Sequence, residues 1–166
     1  MRRCENRETA SLMSLSSVTA FLAETAPDLD VIVLTESTAT VALAAAAHGV
    51  VPAQIAKTLA LRLGDEVILI VTGGEARLDN KKFKARFGTK ARMLDLADVE
   101  SETGHPVGGV CPFGLPRPLA IYCDLSLRAF DIVVPAAGAI NAAVRISPER
   151  MAEITGATWI DVAAAP

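Results

Sequence analysis

The stretch Ile55-Ala56-Lys57-Thr58-Leu59-Ala60-Leu61 decides the fold. Its alternation and its aliphatic residues predict a β-strand that is buried on at least one face. Gly64-Asp65-Glu66 follows and leads into a second apolar run, Val67-Ile68-Leu69-Ile70-Val71. Two such runs joined by a short glycine turn are typical of a β-hairpin. We therefore expect this hairpin to lie at the centre of the sheet.

Lys57 is the one charged residue of the first strand, and its position allows two interpretations. A buried ammonium group is costly unless it is paired or has a function. In the first interpretation, the lysine lies on a solvent face and its stem covers neighbouring residues. In the second, it is a cation held on a rigid strand at the floor of a pocket, facing an oxygen-rich ligand. The strand by itself leaves both open.

Outward from the hairpin, strands and helices are interspersed without strict βαβ units. Ser16 or Ser17 is predicted to cap a first helix that Pro27 stops, and Ser147-Pro148-Glu149 is a strong start for the last helix. The other helices are predicted over 41–48, 81–87 and 96–103, and the other strands over 31–34, 119–123, 131–135, 143–146 and 158–162. This order predicts an α/β protein with a mixed sheet and helices around it.

The composition suits a single domain with a core of small aliphatic residues. The chain has 166 residues, of which 51% are hydrophobic and 4% aromatic. The N-terminal segment 1–11 is charged and polar, so we interpret it as a flexible leader to a domain over 12–166. No apolar run reaches the roughly 18 residues that a membrane span needs, so no membrane partner is expected.

Charge and cysteine content restrict the function further. The net charge of −3 argues against a DNA-binding protein that uses a broad basic surface. Three cysteines form no CxxC pair, which favours a reduced, cytoplasmic protein. The two histidines are far apart and lack ligand-spaced carboxylates, so no metal is expected. The densest positive cluster is Lys81, Lys82, Lys84, Arg86, Lys90 and Arg92. It is either a solvated helix face or a contact for RNA phosphates.

The segment Gly108-Gly109-Val110-Cys111-Pro112-Phe113-Gly114 is the second notable motif. Its residue types are typical of a tight turn. The glycines would also let backbone N–H groups approach a ligand and serve as an oxyanion hole, and Gly138 offers another close approach. Cys111 with His105 would suggest a thiol nucleophile and its base. However, a lone cysteine among apolar residues is more often a small buried hydrophobe.

These motifs occur in one order: Gly49-Val50, Ala56-Lys57-Thr58-Leu59, the 108–114 segment and Ala136-Ala137-Gly138. From about 38 to 161, the chain resembles the YbaK/prolyl-tRNA synthetase-associated domain family. That resemblance implies a mixed, barrel-like sheet flanked by helices. It also implies the activity of a freestanding editing deacylase, which hydrolyses mischarged aminoacyl-tRNA without a cofactor.

The resemblance assigns roles to individual residues. Lys57 becomes the catalytic residue, which orients and polarises the substrate. The substrate-binding residues become Gly108, Gly109, Val110, Pro112, Phe113, Gly114, Ala137 and Gly138. A contact with tRNA is predicted for Lys81, Lys82 and Lys84, and this prediction rests on their charge alone.

The substrate implied is tRNA(Pro) charged with a small wrong amino acid such as alanine, cysteine or serine, with prolyl-tRNA synthetase as a transient partner. The family's mechanism relies on the substrate, whose terminal ribose hydroxyl helps to activate water. The alternative is a non-catalytic module with the same fold that binds tRNA or a synthetase.

Overall fold

The predicted hairpin forms the middle of the sheet in the computed structural model, which describes residues 2–165 and only the backbone of 2–11. Strand β2 (Ile55–Leu63) pairs antiparallel with β3 (Glu66–Gly73), and Leu59 lies opposite Ile70. Gly64 makes the turn with a φ of 62°. Every residue of β3 after Glu66 is buried, as expected of a continuous apolar run with core on both faces.

The main sheet has five strands in the order β5-β2-β3-β4-β7. Strand β4 (Ala120–Asp124) is parallel to β3, and β7 (Thr158–Ile160) is parallel to β4. On the other side, β5 (Val134–Pro135) is parallel to β2. Strands β1 (Ile32–Val33) and β6 (Ala142–Ala143) form a separate antiparallel pair. The fold is thus a single mixed α/β domain with a curled, half-barrel sheet, which confirms the predicted fold class.

Within residues 2–165, five α-helices surround the sheet, and most begin and end where capping residues predict. They are α1 (Arg2–Thr25), α2 (Val41–His48), α3 (Asn80–Phe87), α4 (Leu96–Thr103) and α5 (Pro148–Thr155). Thr40, Asp79 and Ser147 cap α2, α3 and α5 with their side-chain oxygens. Glycines in the left-handed conformation end α2 to α5. Within residues 2–165, no helix is both long and apolar enough to cross a membrane.

The first helix differs from the prediction. It begins at Arg2, so the prediction that Ser16 or Ser17 caps it is wrong. Arginine, glutamate, alanine, leucine and methionine are good helix formers and carry the helix through this segment. Ser17 remains inside it because its hydroxyl donates to the Ser14 carbonyl one turn earlier, at 2.9 Å. Met1 lies outside the described residues, and the flexibility of 1–11 stays a prediction.

The described residues form three hydrophobic clusters, and the two largest cover the two faces of the sheet. The larger contains Leu69 and Val71 of β3 together with Phe113 and Met151. The smaller contains Leu61, Ile68 and Ile70 with Phe83 of α3. Phe83 and Phe87 share the inner face of α3 as predicted, with ring centroids 4.7 Å apart. Because both faces are covered, space for a ligand is found at an edge of the sheet.

Candidate functional site: a cavity at the outer edge of strand β2

The outer edge of β2, the one facing away from β3, is paired at both ends and open in the middle. At its start, Ile55 and Ala56 pair with β5. At its end, the Leu94 amide donates to the Ala60 carbonyl at 2.9 Å, and Leu61 forms a bridge with Met93. Between these points, residues 57–59 lack a strand partner on this side within the described chain. The gap leaves backbone donors and acceptors free.

A cavity of about 240 Å³ opens at this gap, and we call it the β2 cavity. It is bounded by β2, by the segment before α2, by α4 and by the glycine loop. Most of its walls are small or branched aliphatic side chains. The lining residues are Thr38, Ala39, Thr40, Val41, Ala44, Ile55, Ala56, Lys57, Thr58, Ala60, Met93, Leu94, Leu96, Val99, Val107, Gly108, Val110, Val134, Ala136, Ala142 and Ala143.

Lys57 is the charged residue of this lining. It is half-buried, and its Nζ donates a hydrogen bond to the Ala76 carbonyl at 2.5 Å. Burial lowers the pKa of Lys57 below the ordinary lysine range, and the nearby Arg77 charge lowers this pKa further. The hydrogen bond to Ala76 holds the Nζ in place, and the amino group retains N–H donors for a ligand. The structure thus places Lys57 in the wall of a cavity, and its contact with a ligand stays a prediction.

Thr58 is a lining residue whose importance sequence reasoning missed. Its hydroxyl is buried and has no hydrogen-bond partner among the described residues. In β2, Ala60 and Arg62 direct their backbone groups outward, toward the 92–94 segment. Because this direction alternates along an antiparallel strand, the N–H and C=O of Thr58 face the gap as well. The signal in the sequence was a threonine beside the lysine on a strand that is otherwise aliphatic.

The hydroxyls of the other lining threonines each form one hydrogen bond within the protein. The Thr38 hydroxyl donates to the Ile140 carbonyl at 3.0 Å. The Thr40 hydroxyl accepts from the Leu43 amide as the cap of α2. The Thr58 hydroxyl, by contrast, has no hydrogen bond to the described protein, and Lys57 retains N–H donors.

Of the predicted glycine loop, Gly108 and Val110 reach the cavity. Gly108 has a φ of 87°, and a Cβ there would lie 2.9 Å from the Cβ of Ala39. A side chain would thus strain the backbone and collide with the opposite wall. The N–H groups of Gly108 and Val110 have no backbone partner in residues 2–165, whereas the Gly109 amide donates to Pro106 at 2.9 Å.

The rest of that loop lies behind the cavity. A Cβ on Gly109 would lie 2.9 Å from backbone atoms of Ala139. Phe113 is fully buried in the larger core, where its ring lies 6.0 Å from that of Phe21, and Pro112 is also buried. Gly114 contacts the backbone of α1, since its Cβ would lie 2.6 Å from the Ser17 carbonyl oxygen.

The later predicted residues, Ala137 and Gly138, follow Ala136, which lines the cavity. Ala137 is fully buried in the larger core. Gly138 has a φ of 90°, and its Cβ would lie 2.8 Å from the Ser14 carbonyl oxygen. Gly114 and Gly138 therefore converge on one turn of α1, residues 14–18, which we call the α1 contact.

Cys111 and His105 form a buried network rather than an accessible pair. His105 Nδ1 lies 2.5 Å from the Ser14 hydroxyl, and Nε2 lies 2.8 Å from the Phe113 carbonyl. Cys111 is fully buried, and burial raises the pKa of its thiol to about 12. A protonated thiol without access to solvent is a poor nucleophile. The network instead ties the glycine loop to the α1 contact.

The lysines predicted to contact tRNA differ in their surroundings. Lys81 and Lys84 are exposed, and neither forms an ion pair within the described chain. Lys82 is half-buried, and its Nζ contacts Asp161 Oδ1 and the Ala163 carbonyl, both at 2.9 Å. Lys82 thus holds α3 to the C-terminal segment.

Known proteins share this α/β architecture, in which a curled sheet is flanked by helices. The chain belongs to the aminoacyl-tRNA editing domain family, whose model matches residues 35–154.

The chain is also similar to individual proteins of known sequence or structure. The chain is 45% identical over 152 residues to the uncharacterized protein YwhH of Bacillus subtilis (strain 168), covering 90% of this chain and 97% of YwhH. A solved structure proposed to be a trans-editing enzyme for prolyl-tRNA synthetase is 31% identical, with a TM-score of 0.84 over 92% of this chain and 98% of that one. A hypothetical protein of known structure is 32% identical, with a TM-score of 0.82 over 89% and 99% of the two chains.

Proposed function

We propose that this protein is a deacylase that hydrolyses mischarged aminoacyl-tRNA in trans, with the β2 cavity as its active site. The observation that carries the proposal is the cavity itself: an apolar space in a chain of the editing family, with one fixed ammonium and a free strand edge beside it. Such a space takes an uncharged amino-acid side chain, while the polar edge holds the ester.

In this proposal, the reaction is one ester hydrolysis. Water attacks the carbonyl carbon, the bond from that carbon to the ribose oxygen breaks, and a free amino acid and deacylated tRNA leave. Lys57 binds the carbonyl oxygen or the terminal adenosine. The N–H groups of Thr58, Gly108 and Val110 are the backbone donors for the charge that develops on the carbonyl oxygen.

The proton acceptor is assigned to the substrate. Carboxylate and imidazole groups are missing from the described lining of the β2 cavity. We therefore assign the activation of water to the terminal ribose hydroxyl, as the resemblance to the family implies. The hydroxyl is positioned by the same contacts that hold the ester, so binding and catalysis depend on one geometry.

The finer substrate assignment is tRNA(Pro) that carries alanine, cysteine, serine or a similar small residue. The small volume and apolar walls of the β2 cavity support this choice. Cytoplasmic location and a transient contact with prolyl-tRNA synthetase complete the proposal. Translation fidelity is then the role of the protein in the cell.

Single-turnover deacylation of a panel of mischarged tRNAs tests this function. The panel includes Ala-, Cys- and Ser-tRNA(Pro), with correctly charged Pro-tRNA(Pro) as the control. We expect the wild-type protein to clear at least one mischarged tRNA faster than its spontaneous hydrolysis and to spare Pro-tRNA(Pro). If the folded protein binds these tRNAs and clears none, the non-catalytic binding module replaces the deacylase.

A further inference from the structure

The positive charge of this acidic protein is concentrated in one stretch, residues 77–92, which we call the basic segment. It contains seven of the 16 lysines and arginines and one of the 19 acidic residues, so its net charge is 7 − 1 = +6. The remainder of the chain has 9 − 18 = −9. An anionic partner is therefore attracted to this segment and repelled by the rest of the surface.

Lys82 differs from the other cations of the basic segment, because its charge is paired with a carboxylate of the protein. Lys82 is bound to Asp161 and Ala163, as described above. The other six are exposed and have no ion-pair partner in residues 12–165, whose side chains the structure describes. They are Arg77, Lys81, Lys84, Arg86, Lys90 and Arg92. Asp79 is the one acid of the segment, and it is used as the cap of α3.

Both ends of the basic segment adjoin the β2 cavity. At its start, Ala76 accepts the hydrogen bond from Lys57, which lines the cavity. At its end, the Arg92 carbonyl accepts from the Arg62 amide of β2 at 2.9 Å, and the next residue, Met93, lines the cavity. Between these ends, α3 is held on the sheet by the buried Phe83. The cations of α3 are thus fixed on a rigid element, and the two ends of the segment connect it to the cavity lining.

We propose that the basic segment is the surface that binds the phosphates of the RNA acceptor strand and leads its 3′ end into the β2 cavity. This inference rests on the proposed function, because it assigns the anionic part of the same substrate. Lys81 and Lys84 lie three apart on α3, so they share one face and contact the backbone together. Lys82 is a structural residue and takes no part in this contact. Phosphate contacts give affinity and salt dependence without reading the sequence.

The test is the affinity for an uncharged acceptor-stem RNA hairpin with a single-stranded CCA 3′ end, measured by fluorescence anisotropy from about 50 to about 200 mM salt. The double variant Lys81→Gln/Lys84→Gln should bind roughly tenfold more weakly at low salt, with a salt slope smaller by about 2. Lys82→Gln should keep the slope and lower the melting temperature. Arg150→Gln, which like Lys82→Gln removes one positive charge, here from an exposed ion pair on α5, is the control and should keep the slope.

A second substrate separates this inference from the proposed function. The same aminoacyl ester on adenosine alone has no phosphate, so the double variant should hydrolyse it at the wild-type rate. If the wild-type protein hydrolyses the adenosine ester and the double variant binds the hairpin as tightly as the wild type, the proposed RNA-binding surface is wrong and the deacylase activity stands. An equal loss of slope in Arg150→Gln would also overturn it. If the double variant binds the hairpin more weakly but the wild-type protein does not hydrolyse the ester, the RNA-binding surface is supported and the deacylase activity is contradicted.

Discussion

Gly108 and Gly114 belong to one short loop and both have a positive φ, yet they contact different parts of the molecule. Gly108 lines the β2 cavity opposite Ala39. Gly114 contacts the backbone of α1, where Gly138 also packs. The cavity retains polar groups without partners, whereas the polar groups at the α1 contact are bonded to one another. Unused polar capacity is typical of a binding site, and a satisfied network is typical of a scaffold.

The largest effect expected from this comparison is on folding. Gly114→Ala places a Cβ 2.6 Å from the Ser17 carbonyl oxygen, which is backbone and cannot move aside. We expect a loss of at least about 3 kcal/mol in the free energy of unfolding, from strain at positive φ plus overpacking. Denaturant unfolding measures it.

Gly88→Ala is the matched control for that change. Gly88 also has a positive φ, of 76°, but a Cβ there would meet nothing within 4 Å. Its cost should be only the conformational one, about 1 kcal/mol. Equal losses in the two variants would show that Gly114 is not a packing residue of the α1 contact.

The next effect is on hydrolysis, with little change in stability. Thr58→Val removes a buried hydroxyl that has no partner within the described residues, and it preserves the shape of the side chain. The protein should be as stable as the wild type or slightly more so, because an unsatisfied polar group is removed. If the substrate supplies the missing partner, the single-turnover rate should fall about tenfold.

Thr58→Ser retains the hydroxyl and is the control for this position. Its rate should stay close to that of the wild type. Wild-type hydrolysis by Thr58→Val would mean that the hydroxyl makes no contact with the substrate, and the backbone of Thr58 would then be the remaining donor.

The smallest effect is a displacement of the pH profile. The ammonium form of Lys57 is the active one in our proposal, so hydrolysis should decline as the pH rises through the pKa of Lys57. Burial and the Arg77 charge both lower that pKa. Arg77→Gln removes the second cause, so the pKa should rise and the alkaline limb of the profile should move to higher pH.

The adenosine ester is the appropriate substrate for this profile, because Arg77 is also part of the basic segment. Spontaneous hydrolysis is subtracted at each pH. Lys84→Gln removes an equal charge from the same segment and should leave the limb in place. If the alkaline limb moves equally in Arg77→Gln and Lys84→Gln, the shift comes from net charge and not from the interaction between Arg77 and Lys57.

Local sequence signals predicted the elements well, because their causes are local. The hairpin follows from two apolar runs and Gly64, and α2, α3 and α5 begin at side-chain caps that the sequence shows. The length of the first helix was underestimated, because a serine before an apolar run is typical of an N-cap. In the structure, the Ser17 hydroxyl instead donates to a carbonyl within the helix. Strand limits in the second half, such as β5 and β6, depend on partners and were predicted too long.

The site was predicted only in part, because it depends on contacts between distant segments. Lys57, Gly108 and Val110 line the β2 cavity, and the motif order suggested them. The gap beside Thr58 exists because β5 and the 92–94 segment each cover one end of β2, which no local pattern encodes. The α1 contact joins Ser14 to His105, 91 residues away, so glycines that resembled ligand contacts pack against a helix.

Lys57→Ala tests the central claim, that the β2 cavity is the site of ester hydrolysis, most directly. The measurement is the single-turnover rate on the mischarged tRNA that the wild type clears fastest, together with the melting temperature. Lys57 makes one hydrogen bond to the protein, so its removal should cost no more than about 1 kcal/mol of stability. We predict a loss of about 2 kcal/mol or more of transition-state stabilisation, a rate reduced roughly 30-fold. A folded Lys57→Ala variant that clears this tRNA as fast as the wild type would contradict the account.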